Sequence, residues 1–345
     1  MDYIKYVKES PYAGYIGYGG GIGGLSFRSA SGPKWYGARG WWNGGAPGGL
    51  PVNTMQYITI QSTGNATDGG DLATAVKGCQ SLAGGGRALT AGGNTQTDSD
   101  KHFNQAIQVH TIANTSSNAT NFGDMTYARS DTGTVSDGTR GIWAGGRGDN
   151  PTFAEDYSQI MDYVTIATNG NATQFGYFGS PSYAVNQRIT RTSGANDATR
   201  GVWAGGTQPG IPFVTNAWYV TIQTTSSTTQ SGYLGTGSKA LASVSNDVRG
   251  CWAGGTSPGS PGYTDRIEYL TIQSLGGGTD FGDLSTGAQF FSGASDGVGQ
   301  RGVFGPITNG NGNILEYITI DSTGNATDFG DLVASISRIG ACSGD

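Results

Sequence analysis

Apolar residues along this chain come in short bursts, each cut off by glycine. Ile142-Trp143-Ala144 stops at Gly145-Gly146, Val202-Trp203-Ala204 at Gly205-Gly206, and Cys251-Trp252-Ala253 at Gly254-Gly255. An arginine opens each burst, and the phrase recurs at Arg39–Gly45, Arg87–Gly93, Arg140–Gly146, Arg200–Gly206, Arg249–Gly255 and, weakened, Arg301–Gly305. A second burst, dense in β-branched and aromatic residues, follows each: Met55–Gln61, Ile107–Ala113, Met161–Thr168, Ala217–Gln223, Ile267–Gln273 and Leu315–Asp321. Runs this short, bounded by turn residues, predict strands rather than amphipathic helices.

The bursts assemble into a repeat of roughly 46–60 residues, a length that signals stacked β units such as propeller blades. One copy reads as strand a at Tyr127–Val135, a turn at Ser136-Asp137-Gly138, strand b at Arg140–Ala144, strand c at Met161–Thr168, a turn at Asn169-Gly170-Asn171, and strand d at Ala172–Phe178. Strand d returns at Asn65–Leu72, Asn118–Met125 and Asn325–Leu332. Tyr57, Tyr163, Tyr219, Tyr269 and Tyr317 fall in register in strand c, which predicts packing between neighbouring blades. A basic position assigned to strand a recurs at Arg28, Lys77, Arg129, Arg191, Lys239, Gln289 (a neutral substitute) and Arg338. That predicts seven strands a against six complete b–c–d sets. The expected fold is therefore all-β: one propeller domain over residues 1–345, of seven blades, with six as the alternative. N-terminal strands and a Gly-rich segment within 1–24, and a C-terminal strand within 333–345, are expected to join in a composite closing blade.

Composition narrows the function classes. Glycine is 62 of 345 residues and charged residues are 13%, which suits many short strands with tight turns and not charge-driven disorder. The net charge of −6 without a basic stripe argues against nucleic-acid binding. No apolar run reaches the length of a spanning helix, so no membrane insertion is expected, and Met1–Tyr6 lacks the pattern of a signal peptide. Cys79, Cys251 and Cys342 are odd in number and far apart, which predicts buried thiols and synthesis in a reducing cytoplasm.

Strand b ending in Gly-Gly, a tyrosine in strand c, an aromatic in strand d (Phe122, Phe175, Phe281, Phe329) and a basic residue in strand a together resemble the kelch motif. Strings such as Tyr317–Leu332, preceded by Arg301–Gly305, resemble the kelch-like repeats of structural proteins from tailed bacteriophages, notably marine and cyanobacterial ones. That resemblance implies a virion component such as a fibre, knob, nozzle or decoration protein. It would be made in the host cytoplasm, with a cytoplasmic kelch-type scaffold as the alternative.

The chemistry-bearing residues point the same way. Two histidines, His102 and His110, offer neither a catalytic base with partners nor a metal set, and no cofactor, metal or catalytic residue is expected. Asp71, Asp124, Asp283 and Asp331 recur at the end of strand d, and the repeated arginines open strand b. Residues needed once per blade read as scaffold. Four Asn-Ala-Thr tripeptides, at Asn65, Asn118, Asn171 and Asn325, occupy the same turn, so turn chemistry explains them without a sugar. Individuality lies in the b–c loops and the long d–a loop at 179–188. These bring Phe103, Arg147, Asp149, Phe153, Tyr157, Tyr183, Phe213, Tyr263 and Asp265 to one face as binding candidates. The expected partners are other virion proteins, in a homo-oligomeric or multi-copy assembly, or a host-surface glycan. A glycan-acting enzyme is the alternative from another class.

Overall fold

Alternation decides the sheets. In Arg140–Ala144, Ile142 pairs across the ladder with Tyr163 on one side and Val135 on the other, so successive side chains point into opposite inter-blade layers. The structure, a computed structural model, describes residues 34–96, 102–148, 157–179, 187–259, 262–307 and 312–345. These residues form six antiparallel four-stranded sheets, each ordered a-b-c-d from the centre outward. Blade 2 is Gln80–Gly84, Arg87–Ala91, Ala106–Thr111 and Thr120–Asp124. Blade 3 is Gly133–Ser136, Arg140–Ala144, Ile160–Thr165 and Thr173–Tyr177. Blade 4 is Ser193–Asn196, Arg200–Ala204, Asn216–Thr221 and Thr229–Tyr233. Blade 5 is Ala242–Ser245, Arg249–Ala253, Arg266–Thr271 and Thr279–Asp283. Blade 6 is Ser292–Ser295, Arg301–Ile307, Gly312–Thr319 and Thr327–Ile336.

Blade 1 takes strand a from the far end of the chain. Gly340–Gly344 pairs with Arg39–Asn43, followed by Val52–Thr59 and Thr67–Val76. Neighbouring strands a touch in the order 1-2-3-4-5-6-1, which closes a propeller. The ring therefore has six blades, not seven. The seventh strand a predicted at the C-terminus is the missing inner strand of blade 1, in register Arg39↔Gly344 through Asn43↔Gly340. The closing strand occupies only Gly340–Gly344, because residues up to Ile336 belong to strand d of blade 6. Arg28 and the strands expected within 1–24 lie outside the described residues. Strand a of blade 3 is also shorter than expected, since Arg129–Ser130 leaves to pair with Arg147–Gly148.

The repeated residues bolt each blade to the next. Every strand-b arginine donates through its guanidinium to the carbonyl of the isoleucine that directly follows strand c in the following blade: Arg39 to Ile112 (2.7 Å), Arg87 to Ile166 (2.6 Å), Arg140 to Ile222 (3.1 Å), Arg200 to Ile272, Arg249 to Ile320 and Arg301 to Ile60 (3.2 Å each). In five blades the same guanidinium lies over the blade's own strand-c tyrosine, at 4.2–5.2 Å; Arg87 uses Phe122 instead, at 5.3 Å. The second glycine of each doublet donates to the chain entering the next blade, as Gly146 does to Ile189 (2.8 Å). Gly145 has φ +67° and an added Cβ would stand 2.5 Å from the Ile189 carbonyl oxygen, so both conformation and space demand glycine. At the rim, the Asn-Ala-Thr side chains accept from the preceding blade: Asn118 from Asp71 N–H, Asn171 from Asp124, Asn325 from Asp283 and Asn65 from Asp331, at 3.0–3.1 Å. The recurrent aspartates contribute their backbone here.

Apolar layers fill the gaps between blades. Between blades 2 and 3, for example, Leu89, Phe122, Trp143 and Ile166 pack together. One member of the layer between blades 1 and 2 is out of type. His110 is buried with its ring 4.4 Å from that of Trp41, and neither imidazole nitrogen has a hydrogen-bond partner. Burial pushes its pKa down to about 4. An unfolded histidine titrates near 6.5, so acid protonates the unfolded chain first. Stability from this group is complete above about pH 6.5 and is lost as the pH falls towards 4, by about 3 kcal/mol. His110→Val, the residue type of Val164 at the same place in blade 3, is expected to remove that part of the acid sensitivity. Urea unfolding of both proteins at pH 8 and pH 4.5 measures it, and equal acid losses would sink the assignment.

Candidate binding site at the hub

Six inner strands surround a channel with a cavity of about 90 Å³, lined largely by serine, threonine, glycine and asparagine. Hydroxyls and one amide staple it circumferentially. Ser136 N–H donates to Asn196 Oδ1 (3.1 Å), Asn196 N–H to Ser245 Oγ (3.2 Å), Ser245 N–H to Ser295 Oγ (3.4 Å) and Ser295 N–H to Ser343 Oγ (3.3 Å). Blade 2 breaks the series, because Ala83 stands at the equivalent position and offers only its carbonyl, to Ser136 Oγ (2.8 Å). The mouth at the a–b turns is covered by the chain entering blade 1. Lys34 accepts from Gly85 N–H, Trp35 lines the channel, and Tyr36 packs on Gly297.

The opposite mouth, on the face of the b–c and d–a loops, is built differently. Just before each inner strand one residue adopts the left-handed conformation: Gly78 (φ 69°), Asp131 (55°), Arg191 (57°), Ala240 (58°), Phe290 (57°) and Arg338 (55°). Their peptides hydrogen-bond head to tail. Gly78 donates to Arg338, Asp131 to Gly78, Arg191 to Asp131, Ala240 to Arg191, Phe290 to Ala240 and Arg338 to Phe290, at 2.7–3.0 Å. The circle is complete, with one link per blade. A left-handed non-glycine residue costs about 1–2 kcal/mol. Five such residues persist because each is held by two links of the ring.

Backbone symmetry here carries dissimilar side chains. The Arg338 guanidinium lies 4.6 Å from the centre of the Phe290 ring and the Arg191 guanidinium 5.1 Å from it. Arg191 Nε is 3.7 Å from Asp131 Oδ2. Lys239, next to Ala240, places its ammonium 4.8 Å from the Phe213 ring. Burial and then the nearby Arg191 charge push the Lys239 pKa down, so positive charges are crowded at this mouth. Of the described residues lining the channel and this mouth, Asp131 is the one acid. Among all described residues, no group of three or more potential metal ligands occurs.

Of the loop residues expected to bind, the described ones hold separate positions along the loop face. Asp149, Phe153 and Tyr183 lie outside the described residues. Phe103 is half-buried and bridges to Asn94, while Arg147 pairs with Tyr157, so these pin their own loops. Tyr263 packs in blade 5 as Phe213 does in blade 4, each with its carbonyl against a glycine, Gly287 and Gly237. Asp265 is exposed and accepts Leu284 N–H at its carbonyl (2.8 Å). Three of the described candidates reach residues next to the hub ring: Phe213 holds the Lys239 ammonium, Arg147 pairs with Ser130, and Phe103 bridges to Asn94, which bridges in turn to Lys77. Sequence reasoning placed Arg191, Lys239 and Arg338 in one series but missed Phe290 and Asp131 and the convergence of the group. No helix among the described residues is long and apolar enough to cross a membrane. No protein-family model and no curated protein matches this chain.

Proposed function

We propose that this chain is a non-enzymatic binding propeller of a tailed-bacteriophage virion, present in multiple copies, whose loop face engages another virion protein or a host-surface glycan. The observation that carries the reading is the hub ring. Strand-b arginines, glycine doublets and rim asparagines mostly keep their residue types around the propeller and act as fasteners. At the loop-face mouth an equally regular backbone presents Gly, Asp, Arg, Ala, Phe and Arg. Symmetry that holds for the scaffold and fails at one mouth marks that mouth as the place of recognition. The wording of the repeats supports the virion setting. A glycan-acting enzyme would need two carboxylates roughly 5–10 Å apart, and among the described residues the channel and its mouth offer Asp131 alone.

Two measurements test this. Mass spectrometry of purified virions from a phage encoding the chain is expected to find it in stoichiometric amounts. Purified protein is expected to bind host-surface polysaccharide without releasing shorter sugars; depolymerisation would overturn the non-enzymatic reading.

A further inference from the structure

Three cations meet at the loop-face mouth of a protein whose net charge is −6. Arg338 has no carboxylate partner among the described residues, and neither does Lys239. Arg191 has Asp131 at 3.7 Å, which leaves its charge only partly matched. Phe290 serves as the platform that holds both guanidiniums, at 4.6 and 5.1 Å. A guanidinium fixed on an aromatic ring has lost its rotamer freedom beforehand, and its N–H edge stays available for an oxyanion. The cavity under these groups is about 30 Å³. That is room for about two water-sized groups, so the mouth receives a head group the size of a carboxylate and not a whole ring. Neutral polar groups and apolar carbons share its wall: Gln80, Thr132 and Thr192 beside Leu241, Phe291 and Ile339. A mouth that takes one such head group at a time suits the single carboxylate of a sugar unit better than the closely spaced carboxylates of an extended acidic peptide.

We infer that the loop-face mouth of the hub binds the carboxylate of an acidic sugar, held by Arg338 and Arg191 on the Phe290 platform. The inference rests on reading this face as a binding surface, and it names the ligand class. Lys239 adds longer-range attraction, and Asp131 fixes the orientation of Arg191.

The test is calorimetric titration of the full chain with oligomers of galacturonate, glucuronate and sialate, with their carboxyl-reduced counterparts, with polyglutamate and with inorganic phosphate. At least one acidic oligomer is expected to bind, weakening as salt rises, while its carboxyl-reduced form does not. Arg338→Gln and Arg191→Gln are each expected to weaken binding about tenfold, the loss of one charge-assisted contact. Arg338→Gly is the folding control: it accepts φ 55° without strain, so it should melt no lower than the parent and still lose affinity. Absence of binding by every acidic oligomer, equal binding of the reduced forms, or unchanged affinity in both glutamine variants would overturn the inference. So would polyglutamate or free phosphate binding as tightly as the best oligomer. Capture of a neutral host polysaccharide with no acidic oligomer bound would overturn this assignment alone and leave the binding-propeller reading standing.

Discussion

Deleting Gly340–Asp345 is expected to abolish the cooperative fold. The segment is short and exposes little surface, yet it is the inner strand of blade 1. Without it, Arg39–Asn43 becomes an unpaired edge facing the channel. Five residue pairings go with it, and ladder hydrogen bonds contribute about 1 kcal/mol each. Two apolar layers open as well. Ala341 packs with Trp42 between blades 6 and 1, and Cys342 packs with Trp41 between blades 1 and 2. Ser343 Oγ also leaves the channel, where it donates to the Ser295 carbonyl (2.6 Å). The sum reaches the whole stability of an ordinary domain, about 5–15 kcal/mol. The truncated chain should lose its near-ultraviolet tryptophan signal and elute as an expanded or aggregated species. Adding the missing strand as a peptide should partly restore both. A truncated protein with a sharp melt within a few degrees of the parent would show that the ring does not depend on this closure.

The same strand explains why the number of blades was harder to read than their nature. Strands b and c were legible because each repeat carries the same fasteners: Arg140 beneath the Ile222 carbonyl and over Tyr163, and Gly145 against Ile189. The strand-a series was a mixture. Arg191 and Arg338 occupy the left-handed ring position, Lys77, Lys239 and Gln289 precede it by one, and Arg129 precedes Asp131 by two. A tally of basic residues therefore counted features of different register. It also gave the set that begins at Arg39 its own strand a at Arg28, whereas that set takes its inner strand from Gly340–Gly344. The hub site was hidden for a related reason. Left-handed positions are usually announced by glycine or asparagine. Here five of the six carry other residues, and the conformation is imposed by a ring of peptide bonds from six distant segments. Nothing local in Phe290 or Arg338 signals it.

Blade 3 departs from its neighbours in a way that predicts a large and reversible loss of stability. At one place in strand c, four blades bury a Gln or Glu that accepts from the backbone in or just past strand d of the preceding blade: Gln56 from Val333 N–H (2.6 Å), Gln108 from Thr74 (2.9 Å), Glu268 from Thr236 (3.5 Å) and Glu316 from Ser285 (3.1 Å). Blade 3 has the shorter Asp162, which accepts from Thr126 N–H (3.0 Å), and the space it leaves is taken by Arg129. The pair is 3.0 Å apart and both side chains are 0% exposed. Arg129 also donates to the Trp143 carbonyl (3.3 Å) and stacks on Tyr127 (4.6 Å), while its Nε has no partner. Arg129→Met is expected to destabilise the protein by about 3–5 kcal/mol, because it strands a buried carboxylate. Asp162→Gln alone should be comparably harmful, leaving the guanidinium buried without a counter-charge. The double variant, Arg129→Met with Asp162→Gln, converts blade 3 to the arrangement of blades 1 and 2 and should return to within about 1 kcal/mol of the parent or exceed it. Urea unfolding of the four proteins gives the coupling energy directly. Additive losses in the double variant would mean that the ion pair is needed for itself, and that the neutral solution used by blades 1 and 2 cannot be transplanted into this one.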